Sequence, residues 1–132
     1  MTINAKIAFG NSHINSYFVM TPLELAQYYL DCYYKTGDFK AIRNILADDL
    51  QFNGPFQHFE SAASYVNALA NNPPKNVAYK MIKSYCDETS ACLVYQFLKA
   101  GVSTPMNQTF WVAHGKIYKM LLIFDRTIFQ TL

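Results

Sequence analysis

The stretch "LADDLQFNGPFQ", residues 46–57, reads as a helix end, a short strand and a turn built on Gly54-Pro55. Working outward, Gly37 stops one helix and Asp38 caps the next, "FKAIRNILA", in which Phe39, Ile42, Ile45 and Leu46 form one stripe. Upstream, Thr21-Pro22 has the form of an N-cap followed by proline at the first helical position. The apolar residues Leu23, Ala26, Tyr29, Leu30 and Tyr33 then recur at helical spacing over residues 23–35. Downstream, Ser61 caps a third helix, "AASYVNALANN", which halts before Pro73-Pro74.

Beyond Pro74 the hydrophobic period changes from 3.6 to 2. Strands are expected over residues 77–86, 91–99, 107–113 and 116–125, joined by "DETS", "AGVSTPM" and "HGK". Helices followed by an antiparallel meander give an α+β domain, here residues 21–132, preceded by an N-terminal extension over residues 1–20. In "KIYKMLLIF" both faces of the last strand are apolar over its second half. A sheet packed on helices needs one such face, so the other is expected to meet a second copy in a homodimer.

Bulk composition narrows the function. A chain of 132 residues with 52% hydrophobic and 15% charged residues is one folded domain with a real core. Ten Tyr, ten Phe and one Trp suit a cavity or an apolar outer face. The net charge is +2 and no basic run marks a nucleic-acid partner. No window reaches the length of a membrane span, and the opening residues lack the apolar run of a signal peptide, so a cytoplasmic protein is expected. Cys32, Cys86 and Cys92 have no metal-ligand spacing, and reduced thiols are expected. Asp48-Asp49 marks a helix terminus, and no phosphate loop, nucleotide fingerprint or serine elbow is present. The expected partner is a small hydrophobic molecule, with no cofactor and no metal.

The run "YYKTGDFKAIRNILADDLQFNGP" and the closing "WVAHGKIYKMLLIFD" resemble the SnoaL-like group of the nuclear transport factor two-like superfamily. That resemblance, over residues 21–126, implies a cone: a strongly curved antiparallel sheet wrapped around N-terminal helices, with a pocket at the wide end and commonly a dimer. Members include isomerases, cyclases, dehydratases and binding domains, so fold leaves function open. Ketosteroid isomerases share the cone and use an aspartate base beside a tyrosine and a protonated aspartate. By resemblance the base falls on Gly54, the second acid near Asn107, and the tyrosine near Leu30, with Tyr29 and Tyr33 close by. Base and paired acid are both missing.

SnoaL-like cyclases carry an acid/base aspartate in a comparable closing segment, which makes Asp125 the first catalytic candidate. Walls of Phe124, Met120 and Trp111 would raise its pKa by desolvation. The same residue also fits a strand-end acid that pairs with Arg126 or caps a turn. His58, after the Gly-Pro turn, is the second candidate for acid–base work, set against a plain surface histidine. His114 reads as a turn residue, and His13 lies in the extension. Tyr29, Tyr33, Tyr65, Tyr95 and Tyr118 offer phenols to a cavity. Asn107, Thr109 and Trp111 share one face of their strand, and the isomerase comparison makes it the inward face, joined by Met120, Leu122 and Phe124. Two functions follow: cofactor-free isomerase, cyclase or dehydratase chemistry on a hydrophobic substrate, or a non-catalytic ligand-binding or protein-interaction module.

Overall fold

A computed structural model describes residues 19–129. The extension expected over residues 1–20, with His13, lies almost wholly outside that range. The chain order is α1 (Pro22–Asp31), a π turn (Cys32–Thr36), α2 (Phe39–Ile45), β1 (Leu46–Asn53), β2 (His58–Phe59), α3 (Ala62–Asn71), β3 (Val77–Cys86), β4 (Ser90–Lys99), β5 (Val102–Ala113), β6 (Lys116–Ile123) and a 3₁₀ turn (Arg126–Phe129). The α+β layout expected from the sequence is present.

The helix starts are those that the capping residues specify. The Thr21 hydroxyl accepts the Glu24 N–H while the Glu24 carboxylate accepts the Thr21 N–H, a complete capping box. The Asp38 carboxylate accepts the Ala41 N–H and the Ser61 hydroxyl accepts the Ser64 N–H, single caps without the reciprocal bond. Gly37 closes the π turn at φ 65°, a left-handed conformation that favours glycine.

The six strands form one open sheet in the order β2-β1-β6-β5-β4-β3. Four of its five pairings are antiparallel, whereas β1 runs parallel to β6, so the sheet is mixed. That pairing follows from connectivity: β1 and β6 lie far apart in sequence, with α3 and the whole meander between them. Strand β5 begins five residues earlier than expected and takes in Pro105. Proline is tolerated there because β6 joins β5 only from Asn107 onward, which leaves Pro105 paired with β4 alone.

The helices pack on one face of the sheet, and the core lies between the layers. Tyr29 of α1 meets Phe110 of β5 edge to face at 5.4 Å between ring centroids. Phe110, Leu30, Ile42, Leu50, Leu93, Ile117 and Met120 have no exposed surface. Replacing Phe110 by alanine removes the ring that joins helix to sheet. Unfolding in denaturant is expected to show a loss of about 3–5 kcal/mol. A loss under about 1 kcal/mol would take Phe110 out of the central core.

Candidate functional site

A cavity of ≈ 550 Å³ opens between the helices and the inner face of the sheet. Its deep wall is phenolic: Tyr29, Tyr33 and Tyr34 from the end of α1 and the π turn, Tyr65 from α3, and Tyr95 from β4. Around them stand Phe52, Phe59, Leu69, Met106 and Leu122, and the remaining polar lining comes from Gln57, Asn72, Gln108 and two lysines. Among the described residues no aspartate, glutamate or histidine lines it. Nor do three His, Cys, Asp or Glu side chains gather anywhere among those residues in a group that could hold a metal.

Hydrogen bonds join Tyr29 to Tyr65 and Tyr34 to Tyr95. The Tyr29 and Tyr65 hydroxyls share a buried hydrogen bond. The Tyr34 hydroxyl donates to Tyr95 at 3.4 Å, Tyr95 donates to Gln108 Oε1 at 2.7 Å, and Gln108 Nε2 donates to Met120 Sδ at 3.6 Å. Gln108, only 2% exposed, thus anchors the chain at its inner end. The Tyr34–Tyr95 link is long for an O–H···O bond, which leaves the Tyr34 proton readily redirected to a ligand oxygen.

Burial pushes all these phenols up. Desolvation is the largest cause for Tyr29, Tyr33, Tyr34, Tyr65 and Tyr95, with neighbouring phenols adding to it at Tyr29 and Tyr34. At neutral pH each is a protonated donor, and none is a base.

Several residues expected at the site are there, and several are not. Tyr29, Tyr33, Leu122 and Phe124 line the cavity, as do Tyr65 and Tyr95. Met120 is fully buried behind the lining, where it receives Gln108. Asn107, Thr109 and Trp111 belong to the opposite, outer face of β5, while Thr104, Met106, Gln108 and Phe110 point inward. The reason is a bulge. The His114-Gly115 turn, with both residues at positive φ, sets Ala113 opposite Lys116 and Val112 opposite Ile117. An unbroken ladder would then carry Thr109 to Met120 and Asn107 to Leu122. Instead β6 has the extra residue Tyr118, after which Trp111 faces Lys119 and Phe110 faces Met120. One inserted residue exchanges the two faces. Tyr118 itself is exposed and outside the lining.

Asp125 is exposed and outside the lining. Its Oδ1 accepts the Thr127 N–H at 3.0 Å and the Thr127 hydroxyl at 2.6 Å, and these bonds hold its carboxyl below the usual carboxylate range, opposite to the rise expected from desolvation. Its structural work is to form the turn that returns Phe129 to the mouth, against Phe56, Phe97 and Phe124. His58 is likewise outside the lining, held between Asn53 Oδ1 at 2.6 Å and Glu60 at 3.0 Å. Gly54 does line the cavity, and an added Cβ would meet the Phe52 ring at 3.2 Å and Leu122 at 3.7 Å. Gly54 thus faces the cavity with no side chain to offer as an acid or base.

Tyr34 and Gln108 were not legible as site residues. Helical spacing groups Tyr33 with Tyr29 and Leu30 and leaves Tyr34 to one side, but the wider π turn brings both adjacent rings to the cavity, 4.8 Å apart. Gln108 follows from the bulge.

This architecture can be set beside solved structures. An NTF2-like protein of unknown function from Cytophaga hutchinsonii superposes with a TM-score of 0.71 at 22% identity, over 82% of this chain and 93% of that one. The fold is that of the NTF2-like proteins. An LEH-like epoxide hydrolase from M. tuberculosis gives 0.68 at 18% identity, over 82% of this chain and 86% of its own. A candidate SnoaL-like polyketide cyclase from Jannaschia sp. CCS1 gives 0.69 at 14% identity, over 83% and 89%. No protein-family model and no curated protein sequence matches the chain. Among the described residues no helix is long and apolar enough to cross a membrane. The NTF2-like cone thus hosts several chemistries, and the lining has to decide among them.

The raised phenol pKa values predict a pH dependence of defined sign. Unfolded tyrosines ionise near 10.0, whereas the folded cavity holds its phenols protonated to higher pH. Above pH 10 the native state binds more protons than the unfolded state, so stability is full below about pH 10 and falls as pH rises beyond it. The slope is about 1.4 kcal/mol per pH unit for each such phenol. Phenolate absorbance of the cavity tyrosines should appear together with loss of structure. Their titration near 10 in the folded protein would show that the cluster is open to water.

Proposed function

We propose that the protein binds a small, largely apolar molecule in its cone and does not run carboxylate-based proton transfer there. The observation that carries this reading is the lining itself: a cavity large enough for a ligand, walled by aromatic rings, with protonated phenols as donors and, among the described residues, no carboxylate or imidazole. Proton abstraction needs an acceptor within hydrogen-bond reach of the substrate, and the phenols are poised in the opposite sense. The Tyr34 hydroxyl is the group that would meet a ligand oxygen.

A neutral fluorescent probe, N-phenyl-1-naphthylamine, tests the cavity directly. Saturable binding is expected, lost on Ala68→Trp, which places an indole on the α3 side of the lining. Binding that survives Ala68→Trp unchanged, or no binding, would count against the reading. For a ligand with a carbonyl oxygen, Tyr34→Phe should weaken binding about fivefold. Asp125→Asn separates this reading from the catalytic one. Once a turnover assay exists, loss of turnover with retained binding would restore Asp125 as acid/base, whereas the lining predicts that neither changes.

The same reading includes a homodimer formed across the outer face of the sheet. There Ile123 is 55% and Tyr85 58% exposed, flanked by half-buried Val94, Leu121 and Trp111. Native mass spectrometry should record twice the chain mass, and Ile123→Lys should return it to one. A wild-type monomer would exclude the dimer.

A further inference from the structure

The cavity is not electrically neutral at its mouth. Lys75 and Lys99 both line it, and both are exposed. Topology brings them together: Lys99 ends β4 opposite Val77, and Lys75 lies two residues before Val77, so the two ammonium groups share the β3–β4 end of the rim. The ion pairs among the described residues, Asp31–Lys35, Arg43–Asp48 and His58–Glu60, do not include either lysine. Among the described residues the lining offers no acid to neutralise them, and Asp125 keeps its carboxylate on Thr127.

An apolar cavity with two cations at one rim and donors at its depth fits an amphipathic guest. We propose that the ligand is an apolar monocarboxylate, its hydrocarbon or aryl body inside the cone and its carboxylate between Lys75 and Lys99. This deepens the ligand-binding reading and rests on it. A single carboxylate matches the site better than a phosphate. The mouth has two flexible point charges but no arginine in the lining, and so no rigid fork to grip a tetrahedral dianion. The carboxylate stays hydrated at the rim, so each ion pair contributes only modestly, and the body supplies most of the affinity. The lysines select the head group, and salt weakens the selection.

Isothermal titration calorimetry with 6-phenylhexanoate and 6-phenylhexan-1-ol, which share one body and differ at the head, decides the matter. At low ionic strength and neutral pH the acid should bind roughly three- to tenfold more tightly. The double substitution Lys75→Met, Lys99→Met should erase that preference, read as the ratio of acid to alcohol affinity within the variant, while thermal unfolding stays unchanged, since both side chains are exposed. Equal affinities in the wild type, a preference for the alcohol, or binding of neither compound would overturn the proposal. So would an acid preference that persists in the double variant. Binding of the neutral naphthylamine probe is scored separately. If the probe binds and the acid preference fails, the cavity reading stands and only the head-group assignment falls.

Discussion

A buried phenol must find a partner for its hydroxyl, and this cone buries several at once. That requirement organises the interior. Tyr29 and Tyr65 satisfy one another across the gap between α1 and α3, and Tyr34, Tyr95 and Gln108 form a chain from the π turn through β4 to β5. An unpartnered hydroxyl in such surroundings costs roughly 1–3 kcal/mol, so the pairs add to the apolar core in fixing where helices and sheet meet. They also set the chemistry. Rings that satisfy each other need no carboxylate among them, and the space they leave is apolar, donor-rich and free of a base.

Much of the fold was legible because it is written in local rules. Thr21, Asp38 and Ser61 cap the three helices, Gly37 ends the first helical run, and the switch to period 2 after Pro74 announces the meander. The site was half legible. Tyr29 and Tyr33 were found as phenols close to the position where the resemblance puts a tyrosine, and Leu122 and Phe124 through the isomerase comparison; all four line the cavity. Alternation rightly put Asn107, Thr109 and Trp111 on one face, but the isomerase comparison made that face the inward one, and alternation carries no information about an inserted residue. Tyr118 displaces the ladder by one, and nothing in "KIYKM" marks it as extra. Only the exposed Tyr118-Lys119 pair between the buried Ile117 and Met120 hints at it. Tyr34 escaped for a parallel reason, since a π turn breaks the 3.6-residue period that groups residues on a helix face.

Asp125 shows that a motif match does not say where a carboxylate is directed. A threonine two residues on captures the carboxylate of the closing "FD", and the turn so formed delivers Phe129 instead of an acid to the mouth. Solved structures of this fold include an epoxide hydrolase, and at 18% identity its chemistry does not transfer. In this chain Gly54 lines the cavity without a side chain, and among the described residues the rest of the lining offers no carboxylate or imidazole.

The central claim is that the cone is the binding site, and methyl NMR tests it most directly. Met106 lines the cavity and Met120 lies buried behind it against Gln108. With carbon-13 labelled methionine methyls, titration with N-phenyl-1-naphthylamine should shift the Met106 signal saturably and move Met120 less. A probe that binds while both signals stay fixed would place the ligand elsewhere and contradict the account.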